Sequence, residues 1–599
     1  MTTIAEILAS HRAGKAPRET IAAAYARLTT WADPAMLLSV TPEANALAQA
    51  DALAARPDAA QLPLYGVPFV VKDNIDVAGL PTTAACPAFA YTPEKSAFVV
   101  QRLVDAGAIA IGKSNLDQFA TGLVGVRSPH GVPRNSVDSE LIPGGSSSGS
   151  ATAVGAGIVP FSLGTDTAGS GRIPAALNRI VGLKPSLGAL SASGVVPACR
   201  TLDTISIFAL TVDDADLVFR VANGFDAADG YSKKIAMTPL APLSPALRVG
   251  VPRKQDRIFF DDADAEAEFV ASLEILKAMG AQLIDIDLAP FLDVAKLLYE
   301  GPWVAERTAA TAAILLNNPD AMMPVTHDII SGGLKPGAVA TFEAFYKLAD
   351  LRRRTETVWP SIDMLAVPTM PTLYTVAQVL ADPVRLNSNL GTYTNFVNLL
   401  DLAALAVPGP DRRDGRPAGV TLIAPSGRDA ALASVGRILQ AKSGALLGAT
   451  GEICPAPAEI ALRAPDGWIE LAVVGAHLSS MALNNELTNL GAIFLRKVET
   501  TPDYRFYALP GGPPERPGLV RVADGEGATI AAEVWAMRPE AFGKFVAGIP
   551  APLGVGSVRF SDGTNPKGFL CEAQAVLAAT DISRHSGWRA YIASKANPA

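Results

Sequence analysis

The sequence predicts an α/β fold, a mixed internal sheet covered by helices, joined to a smaller β-rich α+β domain. Three observations carry this. The first three quarters of the chain alternate short β-prone runs with longer amphipathic ones, an Ala-, Pro- and Gly-rich stretch interrupts them near residue 460, and short β-prone runs between Gly/Pro turns follow. At 599 residues the chain is too long for one hydrophobic core, so two or more domains are expected.

Taken in order, the opening segment MTTIAEILASHRAGKAPRET has an amphipathic helical pattern without the apolar core of a signal peptide. No apolar run long enough to span a membrane follows it, and a cytoplasmic protein is expected. LPLYGVPFVVKD reads as a strand, SAFVVQRLVDAGA as a helix and IAIGKSN as the next strand, and the alternation continues to the helical GRDAALASVGRILQAK. These assign residues 1–443 to a first domain, 444–467 to a linker and 468–599 to a second domain. In the second, WIELAVVGAHLSS begins with a strand, and FYALP, GLVRVADG, ATIAAEVWAM and PKGFLCEAQAVLA add short β-prone runs. No fixed-period repeat links the two.

Composition narrows the function. A net charge of -8 and the lack of a basic block with interleaved aromatics speak against a nucleic-acid partner and for a small-molecule substrate. The four cysteines are scattered without paired spacing and the five histidines form no HxxxH or HxH set, so neither a disulfide framework nor a dedicated zinc site is indicated, and the enzyme read below is expected to work without metal or organic cofactor. His130 and His327 offer a rival Ser-His mechanism, but no orienting partner is identifiable in the sequence for either.

Chemistry concentrates in residues 143–150, PGGSSSGS, and in the downstream GTDTAGSGRIP. The first alone is compatible with a plain Gly/Ser loop before a helix. The second is a turn of small residues whose successive backbone N–H groups can converge on an oxyanion. The apolar residues preceding Lys72 in VPFVVKDN argue for a buried lysine, and burial depresses a lysine pKa from ~10.4 by several units, which turns it into a base.

These three pieces resemble the amidase-signature family, whose pattern combines a strand-terminal Lys, a GGSSxGS loop and a GTDxxGSxR turn. The resemblance implies that Ser170 is the nucleophile, Ser146 a bridging serine that follows a cis peptide bond, and Lys72 the base. It also implies an oxyanion hole of backbone N–H groups from Thr167, Ala168, Gly169 and Ser170. The chain departs from many members by carrying Ala168 where they carry Gly. The N–H is retained, and the site survives provided that the backbone there does not require positive φ.

Three segments, AGSGRIPA, TGLVGVRSPHG and LLYEGPWVAER, are similar to the allophanate hydrolase branch of this family. The implied substrate is allophanate, urea bearing a carboxylate on one nitrogen. Arg307 then supplies a guanidinium for the carboxylate and Tyr299 a hydroxyl, both on one face if Gly301-Pro302 leaves the helix unbroken. The Gly122 to Gly125 loop offers backbone carbonyls to the leaving amine. A broader small-amide hydrolase with a purely structural, dimerising C-terminal domain is the alternative.

Beyond Trp468, the segments VVGAHLSS, FYALPG, PAPLGVGSVRFSDG, KGFLCE and GWRAY resemble the C-terminal domain of allophanate hydrolases, which implies a γ-glutamyl-cyclotransferase-like fold. His477 is its candidate acid for decarboxylating the N-carboxycarbamate product. A homodimer is expected. With no biotin-type motif or P-loop in the chain, urea carboxylation is expected from a separate partner, a urea carboxylase.

Overall fold

The computed structural model describes residues 3–596. The chain forms two compact units, Met1–Thr238 with Arg248–Ala458, and Pro239–Leu247 with Glu459–Ala599.

The first unit is built on one mixed sheet of eleven strands: β1 (Leu37–Val40), β2 (Pro68–Lys72), β3 (Ile109–Ser114), β4 (Phe161–Asp166), β5 (Val181–Lys184), β6 (Thr204–Ala209), β7 (Arg248–Pro252), β8 (Gln282–Ile286), β9 (Met364–Pro368), β10 (Leu402–Pro408) and β11 (Gly419–Pro425). Their order is β1-β3-β2-β4-β6-β5-β10-β11-β9-β7-β8. The inner strands β2, β4, β6 and β10 are buried at every position, as expected of a sheet covered on both faces. That explains their near-continuous apolar runs. β2 pairs in parallel with both β3 and β4, so the ends of β2 and β4 that carry Lys72 and Thr165 lie at the same edge of the sheet.

The opening amphipathic segment is two helices, Ile4–Arg12 and Pro17–Trp31, separated at Gly14, whose φ of +101° no helix continues. Thr3 and Glu6 close the first with a reciprocal capping box. Helix Asp429–Ser443 ends at Gly444 in the left-handed conformation, the usual C-terminal stop. The stretch read as a linker begins there.

The second unit holds a five-stranded and a three-stranded sheet. Its strands are β12 (Ile469–Val473), β13 (Ile493–Glu499), β14 (Tyr504–Leu509), β15 (Arg516–Arg521), β16 (Ala531–Met537), β17 (Leu553–Ser557), β18 (Lys567–Cys571) and β19 (Thr580–Asp581). The orders are β13-β16-β12-β18-β17 and β15-β14-β19. Trp535, Trp588, Tyr504 and Phe506 fill its core. Among the described residues no helix is long and apolar enough to cross a membrane.

Candidate active site

Lys72 ends β2 wholly buried, and its Nζ lies 2.8 Å from Ser146 Oγ and 2.7 Å from Thr165 Oγ1. Ser146 Oγ is in turn 2.9 Å from Ser170 Oγ. The three residues predicted to act together therefore form one continuous line of hydrogen-bonding groups. The Gly145–Ser146 peptide bond is cis. Burial is the largest influence on Lys72 and lowers its pKa to about 7; Asp117, Asp203 and Asp166 oppose this, and Arg307 adds to it. A neutral amine at that position is available as a proton acceptor.

The nucleophile turn is held from both sides. Arg172 donates through Nε and Nη2 to the two oxygens of Asp166, at 2.9 Å each, and both side chains are fully buried. Burial works to raise the Asp166 pKa, but Arg172 outweighs it and keeps the carboxylate below its ordinary range. Gly171 N–H donates to the same carboxylate at 3.0 Å, closing the turn around Ser170. The backbone amides from Thr167 to Ser170, in a buried segment, donate to no acceptor among the described residues. Buried amides are almost always paired, so four consecutive free ones mark a place for an anion. Ala168 does not adopt positive φ, which meets the condition for its N–H to serve there. At Gly169 a side chain has no room: a Cβ would approach Thr394 Oγ1 to 2.5 Å.

Ser170 Oγ also faces Gly122 O at 3.5 Å. Gly125, at φ +76°, donates its N–H to Asp117 Oδ2 at 3.0 Å. Arg307 is buried, and its Nη1 donates to Ala120 O at 3.0 Å and to Thr121 Oγ1 at 3.2 Å. Tyr299 is half-buried; burial raises its pKa, while the Arg307 and Arg127 guanidiniums pull it back, which places the phenol beside both cations. The condition of an unbroken helix across these two residues is not met. One helix, Ala289–Glu300, stops at Gly301, and Arg307 lies on the next, Val304–Asn317. Glycine and proline end the first helix, and across the turn Tyr299 and Arg307 still act on each other electrostatically.

His130 is exposed and His327 sits 3.4 Å from Asp328, and among the described residues neither hydrogen-bonds a member of the Ser170 cluster. His477 belongs to the second unit and lines a cavity of about 560 Å³ there, with Glu486, Arg516, Lys544, Phe545 and Phe569. Its Nε2 is 2.9 Å from Glu486 Oε2, and its ring stacks on Phe569 with centroids 5.3 Å apart. Burial lowers its pKa below 6.5 against the opposing pull of Glu486.

Sequence reasoning missed several participants. Thr165 and Asp166 lie inside the GTD run already singled out, so their presence was legible but not their roles. Asp117, Asp203 and Arg127 carried no spacing signal. Thr167 Oγ1 donates to Asp203 at 2.5 Å, and Arg127 donates to Thr121 O at 2.8 Å.

Comparison with known proteins gives the family of both parts of the chain. Residues 19–433 match the Amidase family and residues 469–593 the allophanate hydrolase C-terminal domain. The solved allophanate hydrolase of Kluyveromyces lactis is 40% identical and superposes with a TM-score of 0.80 over 99% of both chains. The urea amidolyase of Saccharomyces cerevisiae is 44% identical over 569 residues, 93% of this chain, which spans 31% of that protein's length. A glutamyl-tRNA(Gln) amidotransferase chain of Chloroflexus aurantiacus is 34% identical over 67% of this chain and 88% of its own length, so that likeness stops short of the full chain. The chain belongs to the amidase family, and it carries an allophanate hydrolase C-terminal domain behind the amidase domain.

Proposed function

We propose that this protein hydrolyses allophanate, with Ser170 as nucleophile, Ser146 as proton bridge and Lys72 as base. The observation that carries this is the line Lys72–Ser146–Ser170, with links of 2.8 and 2.9 Å, ending on a lysine whose pKa is near 7. Ser170 attacks the carbonyl that bears the terminal NH2, and its proton passes through Ser146 to Lys72. The amides from Thr167 to Ser170 receive the oxyanion. The proton returns along the same line to the leaving nitrogen, ammonia departs, and water hydrolyses the acyl-enzyme. Gly122 O, 3.5 Å from Ser170 Oγ, supports its reading as an acceptor for the leaving amine.

The buried cation Arg307 favours a substrate with a carboxylate over a neutral amide. Among the described residues its bonds to protein oxygens are made by Nη1, with Cys199 beside the guanidinium, so that donors remain for a carboxylate, and Tyr299 adds a hydroxyl. The product of the first step is N-carboxycarbamate, which loses carbon dioxide once a proton reaches its nitrogen. We assign that proton to His477 in the second unit's cavity, where Arg516 and Lys544 supply positive charge for a dianion.

Because the substrate is a carboxylated urea, the chain needs a urea-carboxylating partner. The helix Ala338–Glu356 exposes Val339, Phe342 and Tyr346 at helical spacing, a surface that supports a homodimer; sedimentation at twice 62.1 kDa is the expected result. Four free cysteines support a reducing, cytoplasmic setting.

An ammonia-release assay comparing allophanate with acetamide, malonamide and glutamine tests the assignment. Allophanate should turn over fastest; faster turnover of glutamine would overturn it, and equal rates would favour the broad amidase.

A further inference from the structure

We infer that Asp117 is a positioning residue of this site, tying the Gly122–Arg127 loop to the Ser146 peptide and presenting its negative charge to Lys72. This role rests on the hydrolytic reading above and adds a residue to it.

The geometry is that of a knot. The Asp117 carboxylate accepts from Gly125 N–H through Oδ2 at 3.0 Å and from Arg127 N–H through Oδ1 at 2.9 Å, so both oxygens hold the loop. Its own N–H donates to Ser146 O at 3.0 Å. It also lies so close to Gly145 that a Cβ there would stand 2.0 Å from Oδ2, which makes glycine obligatory before Ser146. One buried side chain thus touches the two segments that flank Ser170, one bearing Ser146 and the other bearing Gly122 O. Gly145 N–H donates to Leu123 O at 2.8 Å and binds the segments to each other as well.

Burial raises the Asp117 pKa, and the charges that hold the carboxylate against it are Arg127 first and Lys72 after it. Arg127 commits its guanidinium to the carbonyls of Thr121 and Pro383, and among the described residues it makes no ion pair with Asp117. The charged groups facing Lys72 are Asp117, Asp203, Asp166 and Arg307. Asp166 is taken up by Arg172, and Asp203 by Thr167 and the amides of Ala198 and Cys199. Asp117 is the first of the carboxylates acting on Lys72 against its burial. Asparagine cannot replace it, because its amide offers one acceptor oxygen and turns NH2 towards a second N–H.

The test uses Asp117→Asn and Asp117→Glu in the full chain, with thermal unfolding to establish that each folds. The readouts are kcat and KM for allophanate and the pH dependence of kcat/KM. Asp117→Asn should lose about 100-fold in kcat through misplacement of the loop. Its acid limb should move to lower pH by about one unit, since Lys72 loses a counter-charge. Asp117→Glu keeps the charge and should lose kcat while its acid limb stays near the wild-type position. A folded Asp117→Asn with wild-type kcat, or with a lowered kcat and an unmoved limb, overturns the inference. Should Asp117→Asn not fold, wild-type kcat in Asp117→Glu overturns it instead. Failure of the wild-type protein itself to release ammonia from allophanate would overturn the hydrolytic reading, a result distinct from all of these.

Discussion

Thr165 Oγ1 stands 2.7 Å from Lys72 Nζ, on a strand parallel to the one that Lys72 ends. A neutral lysine has one lone pair and two N–H donors. Donating one N–H to Thr165 fixes the rotation of the amine and leaves the lone pair for the Ser146 hydroxyl. Thr165→Val should therefore lower kcat by about 10-fold, the equivalent of one hydrogen bond, with KM for allophanate little changed. Steady-state kinetics decide: an unchanged kcat would make Thr165 a packing residue only.

The pH dependence follows from the same amine. Lys72 acts as a base only when deprotonated, so kcat/KM should rise with pH through about 7 and level off above it. Lys72→Arg cannot deprotonate in this range and should lose activity by several orders of magnitude at every pH. An acid limb preserved in that variant would contradict the role of base.

Lys72 also makes a stability prediction whose sign can be derived. Its pKa of about 7 in the folded protein lies below its ordinary 10.5, so between those values the unfolded chain binds more protons and stability rises with pH. Lys72→Met removes that cost. The variant should be inactive yet more stable than wild type at neutral pH, by up to a few kcal/mol at ~1.4 kcal/mol per pKa unit, with a margin that shrinks towards pH ~10. Denaturant titrations at the two pH values provide the check, and a margin that grows with pH would refute it.

Much of this was legible in the sequence because the catalytic groups sit in contiguous runs. PFVVK announces a buried lysine through its neighbours, and GTDTAGS is a turn by composition. The β-rich character of the second unit followed from short runs between turns. What was not legible depends on contacts between distant segments. Asp117 joins two loops through hydrogen bonds that no local pattern encodes. Helix Ala289–Glu300 stops at Gly301, so the helical spacing that would have aligned Tyr299 with Arg307 is lost, and the two influence each other electrostatically across the turn instead. β13 carries charges at three of its seven positions and β17 glycines at two of its five, and they became strands by pairing with β16 and β18.

Arg307→Ala should raise KM for allophanate by roughly 10- to 100-fold, corresponding to ~1.5–3 kcal/mol for a hydrogen bond to a charged group. A neutral amide should be affected much less. Equal losses on both substrates would reduce Arg307 to a brace for Ala120 and Thr121, the residues it already holds.

For the second unit, His477→Ala should leave the first release of ammonia intact and allow a dicarboxylated intermediate to accumulate from carbon-labelled allophanate, visible by NMR. Burial lowers the His477 pKa below 6.5, so its contribution as an acid should fall as pH rises, opposite in sense to the Lys72 limb. Prompt carbon dioxide release from the variant would remove His477 from the chemistry.

The central claim is that Ser170 attacks the substrate, and ammonia release by Ser170→Ala tests it most directly. The relay from Lys72 through Ser146 ends on this hydroxyl, at 2.9 Å from Ser146 Oγ, so its removal should abolish turnover of allophanate while thermal unfolding stays close to wild type. A folded Ser170→Ala protein that releases ammonia at near wild-type rate would contradict the account.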